Sequence, residues 1–323
     1  MSFTNVAKHE IINSICENEC CKLAELSAII HSCGELAFKN GETFIQIKTE
    51  LQEIYNLVND SLKRLYGEYA EIILDEDVNI NKSVRYLINI PASCARQVLF
   101  DCGLAKINNE GIFELIQGID EHIIESPCCA VSYIKGVFLT SATSNIIINK
   151  DLDRPNRTFC GYHLEFVFAN EVFANDFSSL LFSQGINSKK NKRKNVFVLY
   201  IKEAEQVSDL LALIGAFKSV LSLQNEITFR QVRNNVNRQN NCINANITKT
   251  VNASMKQIEA IKKIQNKKGL DSLPEGLKEI CLLRLENPEE SLENLTKLTK
   301  NPITKSGINH KFRKIINIAK QIK

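Results

Sequence analysis

No apolar run in this 323-residue sequence approaches the roughly 18 residues that a membrane-spanning helix needs, so no membrane partner is expected. Residues 1–19 are polar and mixed in charge, without the apolar stretch of a secretion signal, and a cytoplasmic location is expected. Cysteine is plentiful, but its usual patterns are missing. Among eleven, an odd number, none forms CxxC, and no His stands at a zinc-ligand spacing. Neighbouring pairs such as Cys20-Cys21 and Cys128-Cys129 bridge poorly, and a cytosolic chain keeps its thiols reduced. The cysteines are therefore read as small core residues, with redox sensing as the alternative; no metal and no cofactor is expected.

The length suits about two domains. The net charge of +3 conceals an asymmetry. Residues 1–221 carry 21 Lys and Arg against 28 Asp and Glu, a net −7, whereas residues 222–323 carry 19 against 9, a net +10. A basic tail behind an acidic body suits a polyanionic partner; a solvated basic domain with no such partner is the alternative.

The first two-thirds reads as a degenerate repeat. Two helical segments, one from Cys20-Cys21 and one from Cys128-Cys129, each carry small residues four apart: Ala24 and Ala28 in the first, Ser132 and Gly136 in the second. Residues so spaced share one helix face, which lets two helix backbones approach closely. Strand-like alternation follows at 44–48 and at 162–168, then helical spacing at 50–66 and 170–182. Strands are expected again at 84–90 and 196–201, and final helices at 92–102 and 203–214, each stopped by a glycine, Gly103 or Gly215. The result is an α+β body built from an αββαββα unit used twice, at about 20–105 and 128–218, with a linker at 108–127. The second copy carries a basic turn at 189–194.

Beyond residue 221 a helix is expected from Ile247, with Val251, Met255, Ile258 and Ile261 on one stripe and Gly269 as its stop. Leu273-Pro274 opens another, whose inner face is Leu277, Ile280, Cys281 and Leu285. Asn287-Pro288 breaks it, and Ser291 caps a short helix with Leu292, Leu295 and Leu298. A turn through Lys300-Asn301-Pro302 leads to a last helix from about Thr304. Its apolar residues Ile308, Phe312, Ile315, Ile316 and Ala319 fall within an arc of about 100°. The opposite face presents Ser306, His310, Arg313, Lys314 and Asn317, with Asn309 at its edge and Lys305 and Lys311 flanking it.

A short turn between two helices, the second polar and basic, meets the requirement for docking in the major groove of double-stranded DNA. Arg can bond guanine with two prongs and Asn can do the same for adenine, while Lys mostly serves phosphates. No acid occurs between residues 305 and 314. The helix-turn-helix is placed at about 290–323, and Lys305, Ser306, Asn309, His310, Lys311, Arg313, Lys314 and Asn317 are the candidate DNA contacts. A terminal helical bundle with a solvated basic face is the alternative.

Several stretches together carry a family resemblance. They include Cys20-Cys21-Lys22-Leu23-Ala24-Glu25-Leu26, Tyr162-His163-Leu164-Glu165, Asp209-Leu210-Leu211-Ala212-Leu213-Ile214-Gly215-Ala216 and Val236-Asn237-Arg238. The C-terminal ones are Gly269-Leu270-Asp271-Ser272-Leu273-Pro274, Leu283-Arg284-Leu285-Glu286-Asn287-Pro288 and Ser306-Gly307-Ile308-Asn309-His310. The chain resembles the WhiA family of bacterial regulators. That resemblance implies a LAGLIDADG homing-endonuclease-like body, an all-α helix-turn-helix domain similar to sigma-factor region 4, and a nucleoid-associated transcription regulator. It also implies a role in cell division, chromosome segregation and, in spore-formers, sporulation.

A LAGLIDADG nuclease needs an acid at the end of each motif helix to hold divalent metal against the scissile phosphates. With Ala28 and Gly136 placed at the packing positions, those acids fall at Cys33 and Ser141. Glu35 comes two residues too late, and the second helix end, 140–144, has no acid at all. The body is therefore expected not to be an enzyme. A surviving metal-dependent endonuclease is the rival reading, and a platform for division or transcription proteins at 1–221, anchored by the tail, is the third.

Overall fold

The computed structural model describes residues 2–12, 18–39, 41–75, 85–148 and 161–322. Val84, Cys16 and Cys160 lie outside the described residues. The chain opens with α1 (Phe3–Ile12), which buries Phe3, Ala7 and Ile11. The first repeat then runs α2 (Glu19–Cys33), β1 (Gly34–Lys39), β2 (Glu42–Thr49), α3 (Glu53–Tyr66), β3 (Glu71–Asp75), β4 (Arg85–Ile90) and α4 (Ala92–Asp101). A hairpin of β5 (Ala105–Ile107) and β6 (Phe113–Leu115) and a 3-10 turn, Glu121–Ile124, come next. The second repeat follows as α5 (Pro127–Ser141), β7 (Ala142–Ser144), β8 (Leu164–Phe168), α6 (Glu171–Ser183), β9 (Lys189–Arg193), β10 (Val196–Ile201) and α7 (Ala204–Leu213).

Both repeats fold the same way. The strand orders are β1-β2-β4-β3 and β7-β8-β10-β9, with every described pairing antiparallel. Period-two patterning sets the register. Ile45 lies opposite Ile90 and Ile47 opposite Ile88, all four buried, while Gln46 on the other face donates to the Asn89 side chain at 3.0 Å. The glycine stops hold: Gly103 (φ 65°) and Gly215 (φ 84°) adopt the left-handed conformation that a side chain disfavours. Asn170 caps α6, accepting from the Val172 and Phe173 amides.

Four expectations need correction. The segment at 189–194 is no mere turn: Lys189–Arg193 forms the exposed edge strand β9, and the chain turns at Lys194-Asn195, with Lys194 at φ 53°. The linker between repeats is partly structured by the β5–β6 hairpin. The helix expected from Ile247 begins thirty residues earlier, since α8 spans Phe217–Lys268 without a glycine or proline to stop it. The cysteines are only partly core residues: Cys21, Cys94, Cys102, Cys129 and Cys281 are buried, but Cys20, Cys128 and Cys242 are exposed.

Two compact units emerge, Met1–Phe229 and Arg230–Lys323. The second contains the end of α8, a 3-10 turn (Leu270–Ser272), α9 (Glu275–Glu286), α10 (Leu292–Leu298) and α11 (Lys305–Gln321). Its core joins Ile261 and Ile264 of α8, Leu277, Ile280 and Cys281 of α9, Leu295 of α10 and Ile308, Phe312 and Ile315 of α11. The inner stripe of α8 is not the one its apolar residues suggest. Val251 and Met255 are exposed, while Ser254, Gln257, Ala260, Ile261 and Ile264 are buried. None of the described helices is long and apolar enough to cross a membrane.

Candidate nucleic-acid interface

In the second unit, α11 presents a polar face rich in lysine and arginine. Thr304 caps it, its hydroxyl accepting from the Gly307 amide at 3.1 Å. Ser291 caps α10 in the same way, accepting from the Asn294 amide. Ile308, Phe312, Ile315 and Ala319 are buried, which turns Lys305, Ser306, His310, Arg313, Lys314 and Asn317 out to solvent. Asn309 and Lys311 sit half-buried at the margin. Lys311 leans towards α9, where a methyl group placed on Gly276 would stand 3.4 Å from its Nζ. Lys305 faces Glu293 of α10 at 3.6 Å, an exposed pair worth little. The eight sequence-selected residues thus lie on a single helix, six of them exposed.

One residue that sequence reasoning missed holds this helix in place. Arg284 is 1 % exposed and lies with its guanidinium 5.3 Å from the centre of the Phe312 ring. Its Nε donates to Gln257 Oε1 at 3.0 Å, and one terminal nitrogen donates to the carbonyls of Glu290 (2.7 Å) and Asn287 (3.3 Å). Burial pulls its pKa below the usual arginine value. A single side chain therefore ties α8, the loop before α10 and the underside of α11.

In the first unit, α2 and α5 pack closely side by side. Gly136 meets Ala28, and His31 Nδ1 accepts from the Tyr133 hydroxyl at 2.9 Å while its Nε2–H donates to the Gln117 carbonyl at 3.2 Å. Across the same seam the Lys135 ammonium lies 3.2 Å from the Glu25 carboxylate, both almost wholly buried. At the far end of the pair is a cavity of about 610 Å³ lined in part by Lys8, Cys33, Lys48, Glu50, Arg85 and Thr140. Cys33 closes α2 and Ser141 closes α5. The Cys33 thiol donates to the Ile29 carbonyl at 3.2 Å, and burial pushes its pKa up to about 12, so it stays neutral. A neutral thiol is a poor ligand for a hard divalent cation. Glu35 is tied to Lys48 at 2.8 Å. Lys8, a buried ammonium whose pKa burial lowers to about 8, lines the cavity. A cationic side chain in that cavity disfavours a divalent cation beside it.

A duplicated sheet body with two small-residue helices at its seam, joined to a helical unit presenting one basic helix, defines the class: a LAGLIDADG-like domain with a helix-turn-helix. Sequence comparison makes the family explicit. Residues 19–105 match the WhiA N-terminal LAGLIDADG-like domain, residues 131–233 the WhiA LAGLIDADG-like domain, and residues 236–319 the WhiA C-terminal HTH domain. The "Probable cell division protein WhiA" of Clostridium botulinum (strain Hall) is 39 % identical over 324 residues, covering 100 % of this chain and 99 % of its own length. The protein of the same name from Thermoanaerobacter sp. (strain X514) is 37 % identical over 327 residues, covering 100 % and 98 %. The chain belongs to the WhiA family. Its fold is similar to that of full-length DUF199/WhiA from Thermatoga maritima, with a TM-score of 0.56 and 23 % identity over 99 % of this chain and 98 % of that one.

Proposed function

We propose that this chain is a non-enzymatic, sequence-specific DNA-binding transcription regulator acting in cell division, chromosome segregation and, where the host sporulates, sporulation. The observation that carries the reading is the two-sided character of α11: buried Ile308, Phe312 and Ile315 on one side, exposed Lys305, Ser306, His310, Arg313, Lys314 and Asn317 on the other. The helix-turn-helix at about 290–323 enters the major groove, and the +10 charge of residues 222–323 supplies attraction to phosphates. Residues 1–221, with a net −7, serve as a surface for transcription or division proteins. The names of the relatives support the division role. In the cell the protein is cytoplasmic and bound to the nucleoid.

Two measurements test this together. Chromatin immunoprecipitation with sequencing should give a recurrent motif at promoters, and the purified chain should bind that motif more tightly than random DNA. The same preparation with Mg²⁺ or Mn²⁺ should leave the DNA intact, because Cys33 and Ser141 stand where metal-binding acids are needed. Cleavage that survives repurification and stops with a chelator would restore the endonuclease reading. Diffuse occupancy without a motif would leave only the anchored platform.

A further inference from the structure

Helices α2 and α5 begin alike. Each places two adjacent cysteines in its first turn, Cys20-Cys21 after Glu19 and Cys128-Cys129 after Pro127. Because the two helices run in the same direction along their seam, their first turns meet. The four sulfur atoms lie within 4.8 Å of one another. Each helix contributes one buried thiol (Cys21, Cys129) and one exposed thiol (Cys20, Cys128), so the set has the same two-fold character as the repeat.

The chemistry of four such sulfurs is narrow. Adjacent cysteines bridge poorly to each other, and a tetrahedral ion with Zn–S bonds of about 2.3 Å places its sulfurs about 3.8 Å apart. Small side-chain rotations would bring the observed separations to that value. Multi-iron clusters spread their thiolates over different metal atoms and need wider spacing. All four donors are soft, and hard cations such as Mg²⁺ are disfavoured. The four cysteines sit in the first turns of two helices, where the partial positive charge of a helix N-terminus favours thiolate over thiol.

We propose that Cys20, Cys21, Cys128 and Cys129 form a structural zinc site that staples the two repeats together at the starts of α2 and α5. Zn²⁺ displaces the thiol protons, up to four, and leaves a dianionic tetrathiolate centre with every position filled by protein. A closed site of this kind cross-links and does no chemistry. It lies at the opposite end of the helix pair from Cys33 and Ser141, the positions where a nuclease would carry its metal-binding acids.

The test uses the full chain, grown with zinc and purified without chelator under a phosphine reductant. Elemental analysis should find about one zinc per chain. Replacement by Co²⁺ should give intense near-ultraviolet sulfur-to-metal bands and the strong visible bands of a tetrahedral tetrathiolate. The Cys20→Ser, Cys128→Ser double variant alters only exposed positions; it should keep its circular dichroism and lose both signals. Cys242→Ser, at an exposed thiol in the other unit, should keep them. If the double variant fails to fold, the Co²⁺ spectrum of the unaltered chain still decides. Less than about a tenth of a zinc per chain with no cobalt bands would overturn the proposal. So would full zinc in the folded double variant, iron in place of zinc, or an intact mass showing disulfides among these four residues.

Discussion

Gly136 of α5 faces Ala28 of α2 so closely that a methyl group on the glycine would stand 2.7 Å from the Ala28 Cβ and 2.7 Å from the Glu25 carbonyl oxygen. Backbone cannot yield there as a flexible side chain would. The small-residue spacing seen in the sequence is therefore the condition for the seam between the repeats. Gly136→Ala should destabilise the body by about 1–3 kcal/mol and Gly136→Val by more, because α2 and α5 must separate. In guanidinium unfolding of the full chain, the transition of the first unit should shift and that of the C-terminal unit should not. An unchanged profile for both variants would mean the seam is looser than this contact implies.

His31 links stability to pH. Burial, countered in part by its bond to the Gln117 carbonyl and by Asp176, lowers its pKa from 6.5 to about 4. The ring is also stacked on Phe173 at 3.8 Å. A depressed folded-state pKa means that the unfolded chain binds the proton first, so the contribution is complete above pH 6.5 and is lost as pH falls through about 4. Integrated over that window, it amounts to at most about 3 kcal/mol. Glu25, whose pKa burial raises against the opposing pull of Lys135, acts in the other sense and loses stability as pH rises through its folded value. The comparison of the unaltered chain with His31→Gln isolates the histidine: the acid-side slope of stability against pH should flatten by up to one proton. Equal slopes between pH 4 and 6.5 would show that His31 takes up its proton without unfolding.

The repeat was legible because its signals are local. Alternation at 44–48 and 162–168, and stops at Gly103 and Gly215, needed no knowledge of the partner strands. The apolar line of α11 was legible for the same reason. What was hidden depends on pairings distant in sequence. The buried face of α8 follows polar residues, because Gln257 and Ser254 turn inward to bond Arg284 and the Pro288 carbonyl, and Val251 and Met255 are left in solvent. Helical periodicity put Arg284 beside Cys281 and Leu285 but gave no reason to bury a charge. The four clustered thiols match no zinc spacing, since the match is made by two helices meeting and not by the chain passing once.

Arg284 should be indispensable to the C-terminal unit. Arg284→Met keeps much of the volume but leaves Gln257 Oε1 and the carbonyls of Asn287 and Glu290 without their donor. A buried acceptor left unpaired, as Gln257 Oε1 would be, costs about 1–3 kcal/mol, and with the two part-buried carbonyls the total should reach about 2–4 kcal/mol. Arg284→Lys should rescue little, since an ammonium cannot spread planar donors over three acceptors and stack on Phe312. Thermal unfolding of the variants, with Arg313→Met as an exposed control, checks this. A lysine variant as stable as the original would reduce Arg284 to a charge with no required geometry.

Reading of sequence and anchoring to phosphate should separate within α11. Arg313 is exposed, one position past buried Phe312, and its planar fork suits the paired acceptors of guanine. Arg313→Ala should cost roughly 1–3 kcal/mol on the specific site and relax preference at one base position. Lys311 is different. It is half-buried and inclined towards Gly276 of α9, at the margin of the face, where a single charge can meet a phosphate. Lys311→Ala should weaken specific and random DNA alike and lower the salt slope by about one. Phe312→Ala should remove about 3–5 kcal/mol of packing and unfold the unit, which marks the limit of what the helix tolerates. Titrations on a genomic site and on random DNA, at two salt concentrations and with circular dichroism on each variant, give all three answers. If Arg313→Ala and Lys311→Ala are both folded and both bind as tightly as the original, α11 does not enter the groove, and the exposed basic strand β9 becomes the place to look.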